Sequence, residues 1–166
     1  FKNIRTACFT GEDRDARAAM MLGATQAGIA FSNASVCLVH GMSRPIGAHF
    51  HVPHGLSNAM LLPAITTFSI DSAPERYADC ARAMEIADKH HTDEQANEIL
   101  LFELLALNDD LEVPTLEEWG VDCDKYMELL PLMADQALAS GSPGNNPNVP
   151  SVDEIIELYK QVYSAK

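Results

Sequence analysis

The sequence predicts an all-α fold of about seven or eight helices, and three features predict it. Apolar residues recur at helical spacing in one segment after another. Most of those segments open on a capping residue or on a proline suited to a first turn. Alternation at period two, the mark of a half-buried strand, is confined to the brief Ala48–Val52. No internal repeat or low-complexity tract interrupts the pattern, and a chain of 166 residues makes one domain, 1–166.

In chain order, Glu12-Asp13-Arg14-Asp15 reads as the acidic first turn of a helix, placed at the positive end of its dipole. Ala16 to Ile29 follows, rich in Ala, Met and Leu and almost free of charge, which predicts a helix buried on most sides. Gly23 and Gly28 within it suggest either a close helix–helix approach or tolerated breaks. Ser32 and Asn33 are caps for a second segment, Phe31 to Val39, that ends at His40-Gly41. Gly41, Pro45, Gly47 and Pro53 then predict a turning connector. Pro53 opens a third helix that runs to Pro63, with 65–70 as a weaker continuation.

Ala73-Pro74-Glu75-Arg76 opens a fourth helix, through Tyr77, Cys80, Ala81 and Met84. Thr92 or Asp93 caps a fifth, with Ala96, Ile99, Leu100, Phe102, Leu104, Leu105 and Leu107 as its apolar stripe. Thr115-Leu116-Glu117-Glu118 resembles a short capped turn. Asp122 or Asp124 caps a helix to Leu138, and Ser140 to Pro147 is a loop by its glycine, proline and asparagine content. Ser151 starts a terminal helix with Ile155, Ile156, Tyr159 and Val162 on its apolar side.

Composition narrows the function classes. Net charge is −13, unevenly spread: residues 1–70 carry five basic and three acidic side chains, residues 71–166 six and 21. A balance of −15 over the second part argues against nucleic acid, which needs a basic footprint. No apolar run reaches the roughly 18 residues of a membrane span, so no membrane role is expected. The start, Phe1-Lys2-Asn3-Ile4-Arg5, has neither an initiator Met nor an apolar signal core, so the sequence is read as a fragment of a longer, cytoplasmic protein. Cys8, Cys37, Cys80 and Cys123 form no CxxC pair and are expected to be reduced, buried thiols.

The chemistry concentrates in Val39 to Gly55, which holds four of the six histidines. His40 ends one expected helix and His54 begins the next, so a turn between them can bring two imidazoles into one site. The helix N-terminus beside His54 favours a neutral ring able to ligate a metal. Each histidine alone reads equally as a hydrogen-bonded structural residue, and a catalytic metal needs about three protein ligands. His49, His51 and the solvent-facing His90-His91 pair are the remaining possibilities in the chain. The site is therefore expected to be incomplete here.

These residues carry a resemblance. Phe31-Ser32-Asn33-Ala34, Leu38 to Ala48 and Val52-Pro53-His54-Gly55-Leu56-Ser57-Asn58-Ala59-Met60-Leu61-Leu62-Pro63 resemble the signature of the iron-containing (group III) alcohol dehydrogenases. Gly144-Asn145-Asn146-Pro147 before Asp153-Glu154-Ile155 resembles that family's C-terminal end. The resemblance implies the helical C-terminal domain of the dehydroquinate synthase-like fold, the nucleotide-binding domain lying outside this chain. It implies a divalent metal, Fe²⁺ or Zn²⁺, held by one aspartate and three histidines, of which His40 and His54 match the last two. It also implies NAD or NADP, a small alcohol or aldehyde substrate, and a homo-oligomer, a dimer, for the longer protein. Phe31 matches an aromatic position near the nicotinamide in that family, or else is an ordinary core aromatic. Arg44 replaces a histidine that often serves proton relay; a guanidinium stays protonated, so it is a candidate contact for an anionic substrate group or else a structural ion pair. The Ser142–Asn146 loop either closes over a cleft or is a surface connector. The alternatives are a non-enzymatic helical binding module with structural histidines, and a glycerol-dehydrogenase-like member of the same fold.

Overall fold

A computed structural model describes residues 1–164 and contains, among them, eight α-helices, one 3-10 turn and no strand. It divides into two compact units, Phe1–Ser35 and the chain from Val36 onward. No single helix among the described residues is long and apolar enough to cross a membrane.

The first unit holds α1 (Ile4–Phe9) and α2 (Arg14–Ala34). Asp13 caps α2 by accepting from the Ala16 amide at 2.9 Å. The helix runs past the expected break near Ile29. Ser32 and Asn33 do not cap a new helix; their side chains donate to the carbonyls of Gly28 and Ile29, one turn back, and are satisfied inside α2. The chain leaves the helix instead at Ser35, whose φ is positive at 65°. The expected burial of this segment is also corrected: Met21, Leu22 and Ile29 are 60–70% exposed, and only Ala16 is buried. Composition reports helix preference and says nothing of what covers the helix. Gly23 and Gly28 stand in open space, so they mark no close approach.

The second unit begins with α3 (Leu38–Phe50), the main departure from expectation. The helix does not end at His40-Gly41. It begins just before them and continues through Pro45 to a left-handed stop at His51, φ 56°. A proline inside a helix costs roughly 3 kcal/mol. Leu38, Met42 and Ile46 lie four residues apart on one fully buried face, each contributing roughly 1.5–3 kcal/mol by burial, so the stripe outweighs the proline. The His40–His54 connector is thus mostly helix, with a turn only at 51–53.

Helix α4 (His54–Ile70) likewise passes the proline at which it was expected to end. Pro63 has no amide hydrogen, so the carbonyl of Ala59 loses its helical partner. Asn108 supplies the replacement, donating Nδ2–H to that carbonyl at 2.8 Å. Asn108 lies near the end of α6 (Asp93–Asp110), which opens with a Thr92–Gln95 capping box and packs on α5 (Pro74–Ala83) through Ala78, Ala81, Ala96 and Leu100. Of the expected α6 stripe, Phe102 and Leu105 are exposed.

Helices α7 (Cys123–Ala139) and α8 (Val152–Ser164) complete the main core with α3 and α4. Asp122 caps α7 by accepting from the Lys125 amide at 2.8 Å. Thr115 and Glu118 close the expected capped turn reciprocally. Three tyrosines bind the core together. Tyr126 Oη–H donates to the Tyr159 carbonyl at 3.0 Å, Tyr159 Oη–H to the Met42 carbonyl at 2.8 Å and Tyr163 Oη–H to the Val121 carbonyl at 2.8 Å. All four cysteines are free thiols, as expected, but each is exposed rather than buried.

Two predictions follow from this packing. Asn108→Ala leaves the Ala59 carbonyl unpartnered and lowers stability by about 1–3 kcal/mol, whereas in a Pro63→Ala background the restored helical amide reduces that loss; a double-mutant cycle by denaturant unfolding reads the difference. Burial holds the phenols of Tyr126 and Tyr159 protonated far above their ordinary value of 10.0. A raised acid in the folded state leaves stability intact below the unfolded pKa of about 10 and removes it as pH climbs beyond. The intact protein therefore unfolds in alkali, and Tyr126→Phe lessens the slope of stability against pH above about 10 by up to about 1.4 kcal/mol per pH unit.

Candidate metal centre

Helices α3 and α4 pack against each other and meet at their N-terminal turns, where the two expected ligands lie. His40 is in the first turn of α3 and His54 is the first residue of α4. Their ring centroids are 5.2 Å apart with planes inclined at 52°. Both Nε2 atoms face one atom, Nδ2 of Asn58, at 3.5 Å from His40 and 3.2 Å from His54. The two rings therefore converge through the nitrogens that a metal would take.

At His40, electrostatics favour a lone pair over a proton. The pKa of His40 is lowered, first by burial, then by His54, then by Arg44. A neutral ring keeps one nitrogen free to ligate. The donor chemistry thus fits part of a metal site. Among the described residues no group of three or more His, Cys, Asp and Glu side chains could hold an ion by itself.

Arg44 is one turn beyond His40 on α3 and donates Nη1–H to Ser142 Oγ at 3.2 Å. Ser142 opens the 3-10 turn Ser142–Asn145. That turn is held from several sides: Asn145 donates to the Val36 carbonyl, Asn146 to Ser69 Oγ, and Asn148 to the Phe68 carbonyl. Ser142, Pro143 and Asn146 are buried. Pro143 rests on Gly41, where an added Cβ would stand 2.9 Å from the proline ring. The loop is a clamp on the first turns of α3, built from hydrogen bonds that Gly, Pro and Asn make outside regular structure.

The other histidines are engaged elsewhere. His49 Nε2 pairs with Gln136 at 2.9 Å, His51 stops α3, and His91 pairs with Asp88 at 2.9 Å beside the exposed His90. Phe31, the candidate nicotinamide contact, is on α2 in the first unit and is half exposed. Sequence reasoning missed Asn58. Its signal was available, since His54 and Asn58 are one helical turn apart and share a face.

A family model described as "Fe-containing alcohol dehydrogenase family, C-terminal" matches residues 1–163. The chain belongs to the iron-containing alcohol dehydrogenase family. It is 38% identical to lactaldehyde reductase of Escherichia coli (strain K12) over 148 residues, 89% of this chain and 38% of that protein. It is 33% identical to the NADPH-dependent butanol dehydrogenase of Clostridium saccharobutylicum over 152 residues, 91% of this chain and 39% of that protein. A crystal structure of 1,3-propanediol oxidoreductase superposes with a TM-score of 0.90 at 31% identity, covering 98% of this chain and 42% of that one. This member of the family thus spans about two fifths of the relatives it matches, and its all-helical architecture is the family's.

Proposed function

We propose that the chain is the metal-binding helical domain, residues 1–166, of an NAD(P)-dependent enzyme that interconverts a small alcohol with an aldehyde or ketone. The observation that carries this reading is the convergence of His40 and His54 Nε2 on one point, within a chain of the iron-containing family. The named relatives act on small hydroxy or carbonyl compounds, and one is named for NADPH. His40 and His54 would hold Fe²⁺ or Zn²⁺ together with ligands from elsewhere in the protein. When bound, such an ion supplies a Lewis acid for the substrate oxygen.

This chain's own residues prepare that site. Burial and charge keep His40 neutral, and the α3–α4 packing holds both rings converged. For the nicotinamide, the described residues offer an aromatic face at Phe31; its half-exposed ring is free to meet the cofactor. Arg44 lends only one of its several N–H donors to Ser142, which leaves the guanidinium able to meet an anionic substrate group. The assembled enzyme is a cytoplasmic homo-oligomer in this reading, with dimer the simplest closed form.

Metal analysis of the intact protein tests the ligands. His40→Ala and His54→Ala are each expected to lose most bound metal and turnover, and retention of both by either variant would show that residue is no ligand. Without the missing ligands the chain by itself binds metal weakly and has no turnover. Arg44→Ala separates the two roles of that residue. Acidic aldehydes should lose kcat/KM by about tenfold or more relative to neutral ones, the worth of a hydrogen bond to a charged group; equal losses on both would leave Arg44 with its clamp role alone.

A further inference from the structure

Asn58 lies between the two imidazoles without being a metal ligand of the kind the fold implies. Its Nδ2 is 3.5 Å from His40 Nε2 and 3.2 Å from His54 Nε2. Its Oδ1 is sealed from solvent and has no hydrogen-bond partner. Such an orphan is uncommon in a folded protein and asks for a reason.

Counting donors and acceptors supplies one. An amide NH₂ carries two hydrogens, one for each ring, provided both rings accept at Nε2. Acceptance at Nε2 requires that each neutral ring carry its proton on Nδ1. That is the tautomer whose free Nε2 can bind a metal. The reverse amide orientation would point Oδ1 at two Nε2–H groups and bury two unpartnered donors in place of one acceptor, a costlier arrangement. The observed orientation therefore selects ligand-ready rings and leaves Oδ1 without a partner.

We propose that Asn58 is a positioning residue for the metal centre: its side-chain amide bridges His40 and His54 and holds both in the Nδ1–H tautomer, converged, before the ion arrives. The inference rests on the reading of His40 and His54 as ligands. Asn58 yields its place when the ion takes the two lone pairs, so its work is to orient the empty site. A bond from α4 across to α3 also fixes the ring separation, because His54 and Asn58 share one face of α4 while His40 comes from the neighbouring helix. The bridge uses the same two Nε2 lone pairs that an ion would take, so it must break on loading: Asn58 sets the tautomer and separation of the empty rings and opposes the ion by the strength of its own two bonds.

The test uses the intact protein with Zn²⁺ as the probe. In metal-free wild type, at a pH where both rings are neutral, imidazole ¹⁵N spectra should show His40 and His54 protonated on Nδ1; Nε2–H on either ring overturns the proposal. This measurement needs no variant to fold. Asn58→Leu, similar in volume and lacking both amide atoms, should mix the tautomers and, relieved of the two bonds that must break on loading, bind Zn²⁺ at least as tightly as wild type in chelator competition, with its melting temperature unchanged or raised because the orphan Oδ1 is gone. A purely structural bridge would lower the melting temperature and leave both rings of Asn58→Leu in the wild-type tautomer, and that result overturns the proposal. Asn58→Gln, which keeps the NH₂, should recover part of the tautomer preference; recovery no better than with Leu counts against the bridging role. His40→Ala and His54→Ala serve as controls. If they keep Zn²⁺, the ligand reading fails and this inference with it; if they lose Zn²⁺ while Asn58→Leu keeps the wild-type tautomers, the inference alone fails.

Discussion

The hydrogen bond from Tyr159 Oη–H to the Met42 carbonyl, 2.8 Å long and fully buried, ties the last helix to the one that bears His40. Met42 is two residues beyond His40 and two before Arg44, so this bond fixes the turn of α3 from which both side chains project. Tyr126 in turn donates to the backbone of Tyr159 and packs on Phe50 at the far end of α3. Neither phenol can ionise cheaply in that setting, because burial opposes the phenolate. The anchors are therefore neutral, directional and dry. A site assembled from the first turns of two helices needs such backing, since those turns have the fewest internal bonds.

Around that anchor the fold breaks local rules, and at Ala59 a distant segment repairs the break. Pro45 and Pro63 both stand inside helices, and each leaves a carbonyl one turn earlier without its partner. At Ala59 the repair is the Asn108 amide, from a helix otherwise packed on α5. At Gly41 the missing side chain leaves room for the Pro143 ring, which an added Cβ would meet at 2.9 Å. The clamp over α3 then closes through Arg44 to Ser142 and through three asparagines to the backbone and side chains of the surrounding segments. Proline, glycine and asparagine, which punctuate the sequence, serve here as joints between helices.

The helical class was legible from apolar spacing and caps, and the caps at Thr92 and Asp122 stand where they were read. His40 and His54 were legible as a pair, because two histidines flanking backbone punctuation are rare and their context resembles a known family. Helix ends near prolines were misread. Pro45 and Pro63 look like stops in sequence, and only tertiary burial of Leu38, Met42 and Ile46, or a distant Asn108, reveals why the helices continue. The exposure of α2 was illegible for a related reason: apolar content tells that a surface wants cover, and the covering element need not be in the same segment. The four cysteines failed alike, since helical spacing placed them near the core without fixing the face. For Asn58 only half the signal lay in the sequence, its one-turn spacing from His54; the other half is the His40 ring, which reaches it from a different helix.

The resistance of His40 to a proton has a physical origin. Burial and the neighbouring Arg44 disfavour a charge on His40, and two imidazoles this close disfavour charging both. The same burial would disfavour a dication as well, unless anionic ligands accompany it. Among the described residues no carboxylate joins the two rings in a group able to hold an ion, although the chain carries 24 Asp and Glu. On the proposed reading, a half-site so arranged would be selective by incompleteness. It would offer two lone pairs that hold an ion weakly alone, and strongly once a negative ligand closed the other side. Metal binding would then be coupled to that second set of ligands, and assembly of the complete site would be a condition for loading it.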